Sequence, residues 1–258
     1  MSESPAAPVR ISVVVPSWND RAHLQELVPA LVRLKELHEV IVVDASADPA
    51  IEDLVRGAGG IYLGAPEPNR GAQMNLGASR ASGDVMVFQH ADAILRAEHL
   101  TAIARALRDP AVIGGAFYRK FDRRHPHLHG LEKVARFFTR RGGTLFGDQS
   151  IFVRREIFNS LGGFAPVPLM EDIEFSRRLR RAGRIAVLDP PIESSSRRHL
   201  DRGAWRTSIQ NGLFILLYWC GCSPHRLHRW YYTQGRSMPN ECAEAARAAP
   251  PAKELSRR

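Results

Sequence analysis

Two acidic side chains stand directly after apolar segments whose composition predicts buried β-strands. Val40–Val43 is followed by Asp44, and Val85–Phe88 runs through a short polar segment to Asp92. Ligands of open α/β sheets bind at the carboxyl ends of the strands, and a carboxylate there suits a hard divalent cation that bridges to phosphate oxygens. Asp92 therefore has two interpretations: a ligand of Mg2+ or Mn2+, or the N-cap of a helix that begins near Arg96.

A second acidic position is Glu171-Asp172, where a strongly cationic helix is predicted to begin. Acidic residues in a first helical turn commonly complement the helix dipole. The alternative is catalytic: one carboxylate faces a cleft and takes a proton as a general base, an effect of about 10²–10⁴-fold in rate. Residue type and spacing alone leave both interpretations open.

The elements that would position these acids are predicted to be alternating strands and helices. Ile11–Val15 is a β-branched run ended by Pro16, and a helix capped by Asn19 or Asp20 leads to the second strand. Strand, helix and strand in this order form a right-handed βαβ unit, which predicts an α/β fold with a mainly parallel, Rossmann-like sheet. No G-x-G-x-x-G or G-x-x-x-x-G-K-S/T motif follows the first strand, so a bound nucleotide would lack a glycine-rich phosphate cradle. A metal ion at Asp92 would neutralise the phosphates instead.

The segment Asn69–Ala78 is predicted to be a loop that enters a helix of small residues. Asn is a poor helix former, so such amides at a helix start need partners. Asn69 suits an N-cap position. For Arg70, Gln73 and Asn75 the functional alternative is contact with a base or ribose.

Several segments in this order resemble the motifs of family-2 glycosyltransferases of the GT-A fold, and more closely the small subgroup of radical-SAM/selenodomain-associated transferases. The segments are Val13–Asn19, Val42–Asp48, Asn69–Ala78, His90–Asp92, Gly147–Arg155, Met170–Asp172 and Ser195–Arg198. The resemblance implies a single αβα GT-A domain over residues 10–232, with a nucleotide-sugar-binding half at 10–110 and an acceptor-binding half at 111–232. Residues 1–9 are expected to be a flexible N-terminus and residues 233–258 a disordered tail.

The resemblance also implies inverting transfer of a sugar from a UDP- or GDP-sugar to an acceptor that the sequence does not identify. Asp172, with Glu171 nearby, matches the family's catalytic base. Asp92 matches the last residue of its Asp-x-Asp element, which holds Mg2+ or Mn2+, and His90 stands where that element has its first carboxylate. His90 is therefore expected to reach the donor or to be a structural histidine. The positions predicted to bind the nucleotide sugar are Pro16, Asn19, Asp44, Arg70, Gln73, Asn75, His90, Ala91, Asp148, Gln149, Arg197 and Arg198.

The net positive charge of the chain calls for an anionic partner. The 36 Lys and Arg residues exceed the 27 Asp and Glu residues, a formal net charge of +9, which fits nucleic acid, an acidic membrane or a phosphorylated substrate. Without zinc-finger spacing or an aromatic RNA-binding signature, nucleic acid is not an expected partner, and solvated helix faces explain most of the arginines. The alternatives to a transferase are a non-catalytic nucleotide-sugar-binding protein and a nucleotidyltransferase, whose glycine- and lysine-rich phosphate loop is absent.

The C-terminal part contains the three cysteines and the most apolar segment. Few cysteines in odd number suit a reducing compartment, and residues 1–9 lack the apolar core of a signal peptide, so a cytoplasmic location is expected. Leu213–Cys220 falls well short of the roughly 20 residues of a membrane-spanning helix. Packing against the catalytic domain is the favoured interpretation, and peripheral contact with an anionic surface at the inner membrane face is the alternative.

Overall fold

The computed structural model describes residues 9–123, 126–196 and 204–233. The strands are β1 (Ile11–Ser17), β2 (Glu39–Asp44), β3 (Ile61–Gly64), β4 (Val85–Phe88), β5 (Ala93–Ile94), β6 (Val112–Phe121), β7 (Ile151–Arg154) and β8 (Arg184–Ser194). The helices are α1 (Arg21–Val32), α2 (Pro49–Gly57), α3 (Arg70–Arg80), α4 (Ala97–Ala106), α5 (Pro126–Arg140), α6 (Arg155–Ser160), α7 (Glu171–Ala182), α8 (Ala204–Trp219) and α9 (Pro224–Thr233), with a 3-10 turn at Gly147–Gln149.

The strands form one eight-stranded sheet in the order β3-β2-β1-β4-β7-β6-β8-β5. β1 runs parallel to both β2 and β4, and β3 continues the parallel half beside β2. β7 is antiparallel to β4 and β6, β8 is parallel to β6, and β5 is an antiparallel edge strand. The predicted α/β class with a mainly parallel sheet is confirmed. This order sets the carboxyl ends of β2, β1 and β4 side by side.

The apolar runs of the central strands are continuous because helices cover both faces of the sheet. Val13 and Val15 of β1 pack with residues of α1, α2 and α4 on one face. Val14, between them, packs on the opposite face with residues of α3, α6 and α7. The strand ends are therefore held between two buried layers, and only their carboxyl tips carry polar groups.

The predicted first strand, Ile11–Val15, is too short by two residues, because β1 continues through Pro16 to Ser17. A proline lacks the N–H that a central strand normally donates. Here β4 ends opposite Val14, where Phe88 is its last residue, so no strand lies beside Pro16 on that side. Asp20 takes the N-cap position of α1, as the sequence allowed, but its side chain makes no capping hydrogen bond.

The apolar segment of the C-terminal part lies in α8. This helix contacts α5 and α9, and its Phe214 is buried, as packing against the domain predicts. The opposite face leaves Ile209, Leu213 and Leu216 at least half exposed. In the described ranges, no helix is both long and apolar enough to cross a bilayer. The predicted flexible N-terminus and disordered tail lie, apart from Val9 and Thr233, outside the described residues.

The close packing of α3 on the sheet leads to a stability prediction. A Cβ atom at Gly77 would lie 2.4 Å from Cγ1 of Val14 and 3.1 Å from Cγ2 of Val43, whereas one at Gly57 of α2 would meet nothing within 4 Å. We expect Gly77→Ala to lower the free energy of unfolding by about 1–3 kcal/mol through overpacking. Gly57→Ala should leave it unchanged or raise it by about 0.4–1 kcal/mol. Urea denaturation compares the two, and equal stabilities would contradict this packing.

Candidate active site

The carboxyl ends of β1 and β2 hold a buried acid, Asp44. Ser17 Oγ donates to its Oδ1 at 2.9 Å, and the amide and Oγ of Ser46 donate to its Oδ2 at 3.0 and 2.6 Å. Across the same ends, Nε2 of Gln73 donates to the carbonyl oxygens of Ser17 at 2.7 Å and of Val43 at 2.8 Å. Asp44 is thereby held in one orientation, at the strand end where many α/β folds contact the ribose or base of a nucleotide.

Four residues predicted to bind the donor are buried or hydrogen-bonded within the protein. Both amide hydrogens of Gln73 are committed to the strand ends, and Asn75 exchanges two hydrogen bonds of 2.8 Å with the backbone of Phe164. Gln149 is buried, and its Oε1 accepts from a backbone amide of its own turn at 2.8 Å. Pro16 is buried within β1. The three amide side chains thus hold the segments around the strand ends, and contact of these four residues with a donor stays a prediction.

The turn after β4 is fixed by Gln89, a buried amide that the sequence did not mark as functional. Its Nε2 donates to the carbonyl of Ala93 at 2.8 Å, and its Oε1 accepts from Ser150 Oγ at 2.6 Å. The carbonyl of Asp92 accepts from the amide of Ser195 at 3.2 Å. The turn is thus tied to β5, to the segment before β7 and to the segment after β8, which fixes the path of the backbone at Asp92.

Asp92 is half-buried on this turn, as are His90 and Ala91. The helix-cap alternative for Asp92 is wrong, because β5 intervenes and Arg96 is the N-cap of α4. Among the residues that the structure describes, no group of three or more His, Cys, Asp or Glu side chains could hold a metal ion. Mg2+ is commonly bound by one or two carboxylates together with substrate phosphates, and Mn2+ accepts the same oxygen ligands. A lone carboxylate therefore fits an ion whose other ligands come from a bound diphosphate and water.

A second acid, Asp172, lies at the start of α7. Its carboxylate accepts hydrogen bonds from the backbone amides of Gly147 at 2.8 Å and Ile173 at 2.7 Å. Burial raises the pKa of Asp172 to about 6, and the negative charge of Glu171 adds to the rise, while Arg70 and the two amides oppose it. The result is a carboxyl group that binds its proton more tightly than an ordinary aspartate.

The turn after β4 and the start of α7 meet at Gly147. A Cβ atom there would lie 2.6 Å from Nε2 of His90 and 3.4 Å from Oδ2 of Asp172, so a side chain could enter only by displacing the imidazole. Arg70 contacts both the turn after β4 and the start of α7, because its Nη1 lies 3.2 Å from Nε2 of His90 and 3.4 Å from Oε1 of Glu171. Residues from four separate segments of the chain therefore share one site.

Asp148, next to Gly147, forms an ion pair with Arg119 of β6. Burial by itself would raise the pKa of Asp148, but the charge and hydrogen bond of Arg119 outweigh it and hold that pKa below its usual value. The charges of His90 and Arg70 act in the same direction, which places Asp148 in the same electrostatic cluster. Arg119, the partner that fixes Asp148, carried no signal in the sequence.

Backbone strain concentrates in the loops of this region. The non-glycine residues Asn19 and Ala47, which follow β1 and β2, have φ angles of 57° and 53°, and Met170, just before the acids of α7, has 69°. Left-handed conformations cost about 1–3 kcal/mol each and cluster at functional sites, although Asn tolerates them better than most residues. The exposed Asn19 thus lies in a loop with a defined, non-standard shape at the strand ends.

Two further predictions concern Asn69 at the start of α3 and the pair Arg197 and Arg198. Asn69 caps α3, as predicted, by accepting from the amide of Ala72 at 3.0 Å, which fixes where Arg70 leaves the backbone. Arg197 and Arg198 lie outside the described residues. Their contact with donor phosphates stays a prediction.

Sequence comparison identifies the family. Residues 12–162, more than half of the chain, match the model for Glycosyl transferase family 2. The chain therefore belongs to this family of glycosyltransferases. No curated protein matches the chain significantly.

Comparison with solved structures supports a GT-A-type fold. The mannosyltransferase PcManGT from Pyrobaculum calidifontis, in complex with GDP-Man and Mn2+, has a TM-score of 0.64 and 19% identity, covering 98% of this chain and 82% of that one. S. aureus TarS 1-349 has a TM-score of 0.56 and 19% identity, covering 73% of this chain. Glucosyl-3-phosphoglycerate synthase from Mycobacterium tuberculosis, in complex with Mn2+, UDP and glucosyl-3-phosphoglycerate, has a TM-score of 0.52 and 20% identity, covering 73% of this chain and 71% of that one. The chain spans 61% of the TarS fragment's length.

The raised pKa of Asp172 can be measured directly. We expect the Asp172 carboxyl carbon to titrate in ¹³C NMR with a midpoint of about 6 rather than 3.8, because burial and a neighbouring negative charge favour the protonated form. Glu171→Gln should lower the midpoint, and Arg70→Met should raise it, since these two charges act in opposite directions. A wild-type midpoint near 3.8 would contradict the buried environment described here.

Proposed function

We propose that this chain transfers a sugar from a UDP- or GDP-sugar to an acceptor hydroxyl, with inversion at the anomeric carbon. The observation that carries the proposal is the meeting, at Gly147, of the turn that ends at Asp92 with the half-buried acid Asp172. A donor bound there would have its diphosphate beside Asp92 and its sugar between Asp92 and Asp172. Membership of Glycosyl transferase family 2 supports a nucleotide-sugar donor.

The donor site that we propose begins at the strand ends. Asp44 contacts the ribose or base, and the exposed Asn19 lies in the neighbouring loop. His90 and Arg70 provide N–H groups for the ribose or the phosphates. The backbone at Ala91, the next residue after His90, belongs to the same side of the donor site. Arg197 and Arg198 add forked contacts to phosphate oxygens, for which a guanidinium group is well shaped. Asp148 stabilises this side of the donor site through its ion pair with Arg119.

Asp92 is the proposed protein ligand of Mg2+ or Mn2+. When bound, such an ion would stabilise, as a Lewis acid, the charge that develops on the departing diphosphate. PcManGT and the mycobacterial synthase were each solved with Mn2+, and a single carboxylate suits an ion that also binds phosphate oxygens.

Asp172 is the proposed catalytic base. As the acceptor oxygen forms its bond to the anomeric carbon, its proton passes to the Asp172 carboxylate. The bond from that carbon to the diphosphate oxygen breaks, and its electron pair leaves with the nucleoside diphosphate. A pKa of about 6 makes Asp172 a stronger base than an ordinary aspartate, yet leaves it mostly ionised at neutral pH.

The main alternative is a nucleotide-sugar-binding protein without turnover, which the replacement of the first Asp-x-Asp carboxylate by His90 keeps open. The raised pKa of Asp172 favours catalysis, because perturbed pKa values cluster at functional sites. A nucleotidyltransferase is disfavoured by the missing phosphate loop. Membership of the radical-SAM/selenodomain-associated subgroup, a cytoplasmic location and peripheral membrane contact through the exposed face of α8 stay predictions.

Removal of the base should abolish most turnover without affecting donor binding. Asp172→Asn keeps an oxygen for the Gly147 amide but cannot take a proton. In a panel of UDP- and GDP-sugars with water as the acceptor, release of nucleoside diphosphate should fall about 10²–10⁴-fold, while the donor's dissociation constant stays the same. The exposed Asp53→Asn of α2 is the matched control and should keep full turnover. Wild-type rates in Asp172→Asn would exclude the residue as the base.

The metal role of Asp92 is tested through nucleotide binding. Mn2+ should increase the thermal stabilisation of the wild type by UDP or GDP. Asp92→Asn should weaken this Mn2+-dependent binding at least about 10-fold, since even indirect supports of a metal ligand typically contribute that much, and should leave metal-independent binding unchanged. Asp53→Asn again serves as the control. Full donor turnover in excess EDTA would contradict a role for the ion.

A further inference from the structure

A cavity of about 660 Å³ opens between α7, the segment that follows α5 and the junction of α8 with α9. This volume lies within the range of typical small-molecule sites. Three side chains of α7 and two of α8 dominate its walls: Arg177, Arg180, Arg181, Tyr218 and Trp219. We call it the arginine cavity. The donor site proposed above does not use it.

The positive charge of the arginine cavity is not neutralised locally. No Asp or Glu lines it, and within the described part of the chain none of its three arginines forms an ion pair, whereas the neighbouring Arg178 pairs with Glu174. Arg177, Arg180 and Arg181 recur at the three- and four-residue spacing that sets side chains on one helix face. The face therefore presents three cations to one volume.

Arg180 is the most enclosed of these cations. Its Nε is buried and has no hydrogen-bond partner among the described residues, and Nη2 makes only a long contact, 3.5 Å, to the carbonyl of Thr139. Burial lowers the pKa of Arg180. A buried guanidinium donor without a partner is costly, and an anion in the cavity would compensate the charge of the guanidinium.

The arginine cavity lies next to the proposed base. Ile173, the residue after Asp172, is part of its wall, and Ser176, one helical turn beyond Asp172, lines it as well. Burial raises the pKa of Tyr218, and the charge of Asp172 adds to that rise, while Arg177 opposes it. A ligand in the cavity would thus lie within electrostatic reach of the carboxylate that takes the acceptor's proton.

We propose that the arginine cavity binds the phosphoryl group of the acceptor, so that the acceptor is a phosphorylated molecule whose hydroxyl reaches Asp172. This inference rests on the proposed glycosyl transfer. A phosphoryl group carries up to two negative charges and several acceptor oxygens, which matches more than one guanidinium fork better than a single carboxylate does. Tyr218 and Trp219 supply an apolar, aromatic wall for the part of the acceptor next to the phosphate.

The test is isothermal titration calorimetry of the full chain with phenyl phosphate, in the presence of Mn2+ and a saturating mixture of UDP and GDP. Arg177→Gln/Arg180→Gln should weaken phenyl phosphate binding roughly 10- to 100-fold, the loss expected from charge-assisted hydrogen bonds. Arg177→Gln/Arg181→Gln changes two exposed side chains and should also weaken binding. Because this variant keeps Arg180, its loss of binding would not result from a folding defect at that residue. The matched control is Arg105→Gln/Arg108→Gln, exposed at the end of α4, a helix on the opposite face of the sheet.

Vesicles of phosphatidylcholine with and without phosphatidic acid distinguish the two sources of a phosphoryl group. Binding of phenyl phosphate alone indicates a small soluble acceptor, and co-sedimentation that needs phosphatidic acid and Arg177 indicates a lipid-borne one; both support the inference. No binding of either probe by the wild type, or equal weakening in the cavity variants and the control, would overturn it. If phenyl phosphate binds in the cavity but neither UDP nor GDP stabilises the wild type with Mn2+, the proposed glycosyl transfer fails and the anion site stands.

Discussion

The backbone amide of Gly147 holds together the two halves of the site. It donates to Asp172 at 2.8 Å, and the missing side chain leaves room for the imidazole of His90 on the turn after β4. A hydrogen bond from an amide to a carboxylate contributes about 1.5–3 kcal/mol, but its larger effect here is geometric. It fixes the start of α7 against the carboxyl edge of the parallel strands, where α/β proteins bind their ligands. Arg70 adds a second link, because its Nη1 lies near both His90 of the turn and Glu171 of α7.

Two neighbouring acids acquire different roles from their surroundings. Asp148 has the guanidinium group of Arg119 beside it, and its pKa lies below the usual value. Asp172 is half-buried and receives hydrogen bonds from two backbone amides. Loss of hydration and the charge of Glu171 raise its pKa to about 6. Such a separation is the usual way in which one site assigns a charged structural acid and a proton-accepting acid. In the proposed mechanism, Asp148 stabilises the donor site through its ion pair, and Asp172 takes the proton of the acceptor.

The sequence predicts the strands that carry the site better than the side chains that hold its loops in place through hydrogen bonds. The strand end at Asp44, and the one at Phe88 that precedes the turn with Asp92, follow from short apolar runs with a polar residue after them, because this pattern depends only on neighbouring positions. Gln73, Gln89 and Arg119 could not be assigned in the same way. Their hydrogen-bond partners lie 56, 61 and 29 residues away in the chain, and only the folded sheet brings them together. Amides near a ligand and amides that tie loops together have the same residue type, so the sequence could not show that the side chain of Gln73 joins β1 to β2.

We propose that the diphosphate of a nucleotide and the catalytic base Asp172 share one cleft at the ends of β1, β2 and β4. A crystal structure of the full chain with Mn2+ and GDP or UDP tests it most directly. We expect an ion bound by a carboxylate oxygen of Asp92 and by phosphate oxygens, the nucleoside at Asp44, and the carboxylate of Asp172 facing the open side of the terminal phosphate. A nucleotide bound away from these strand ends, or an ion held without Asp92, would contradict it.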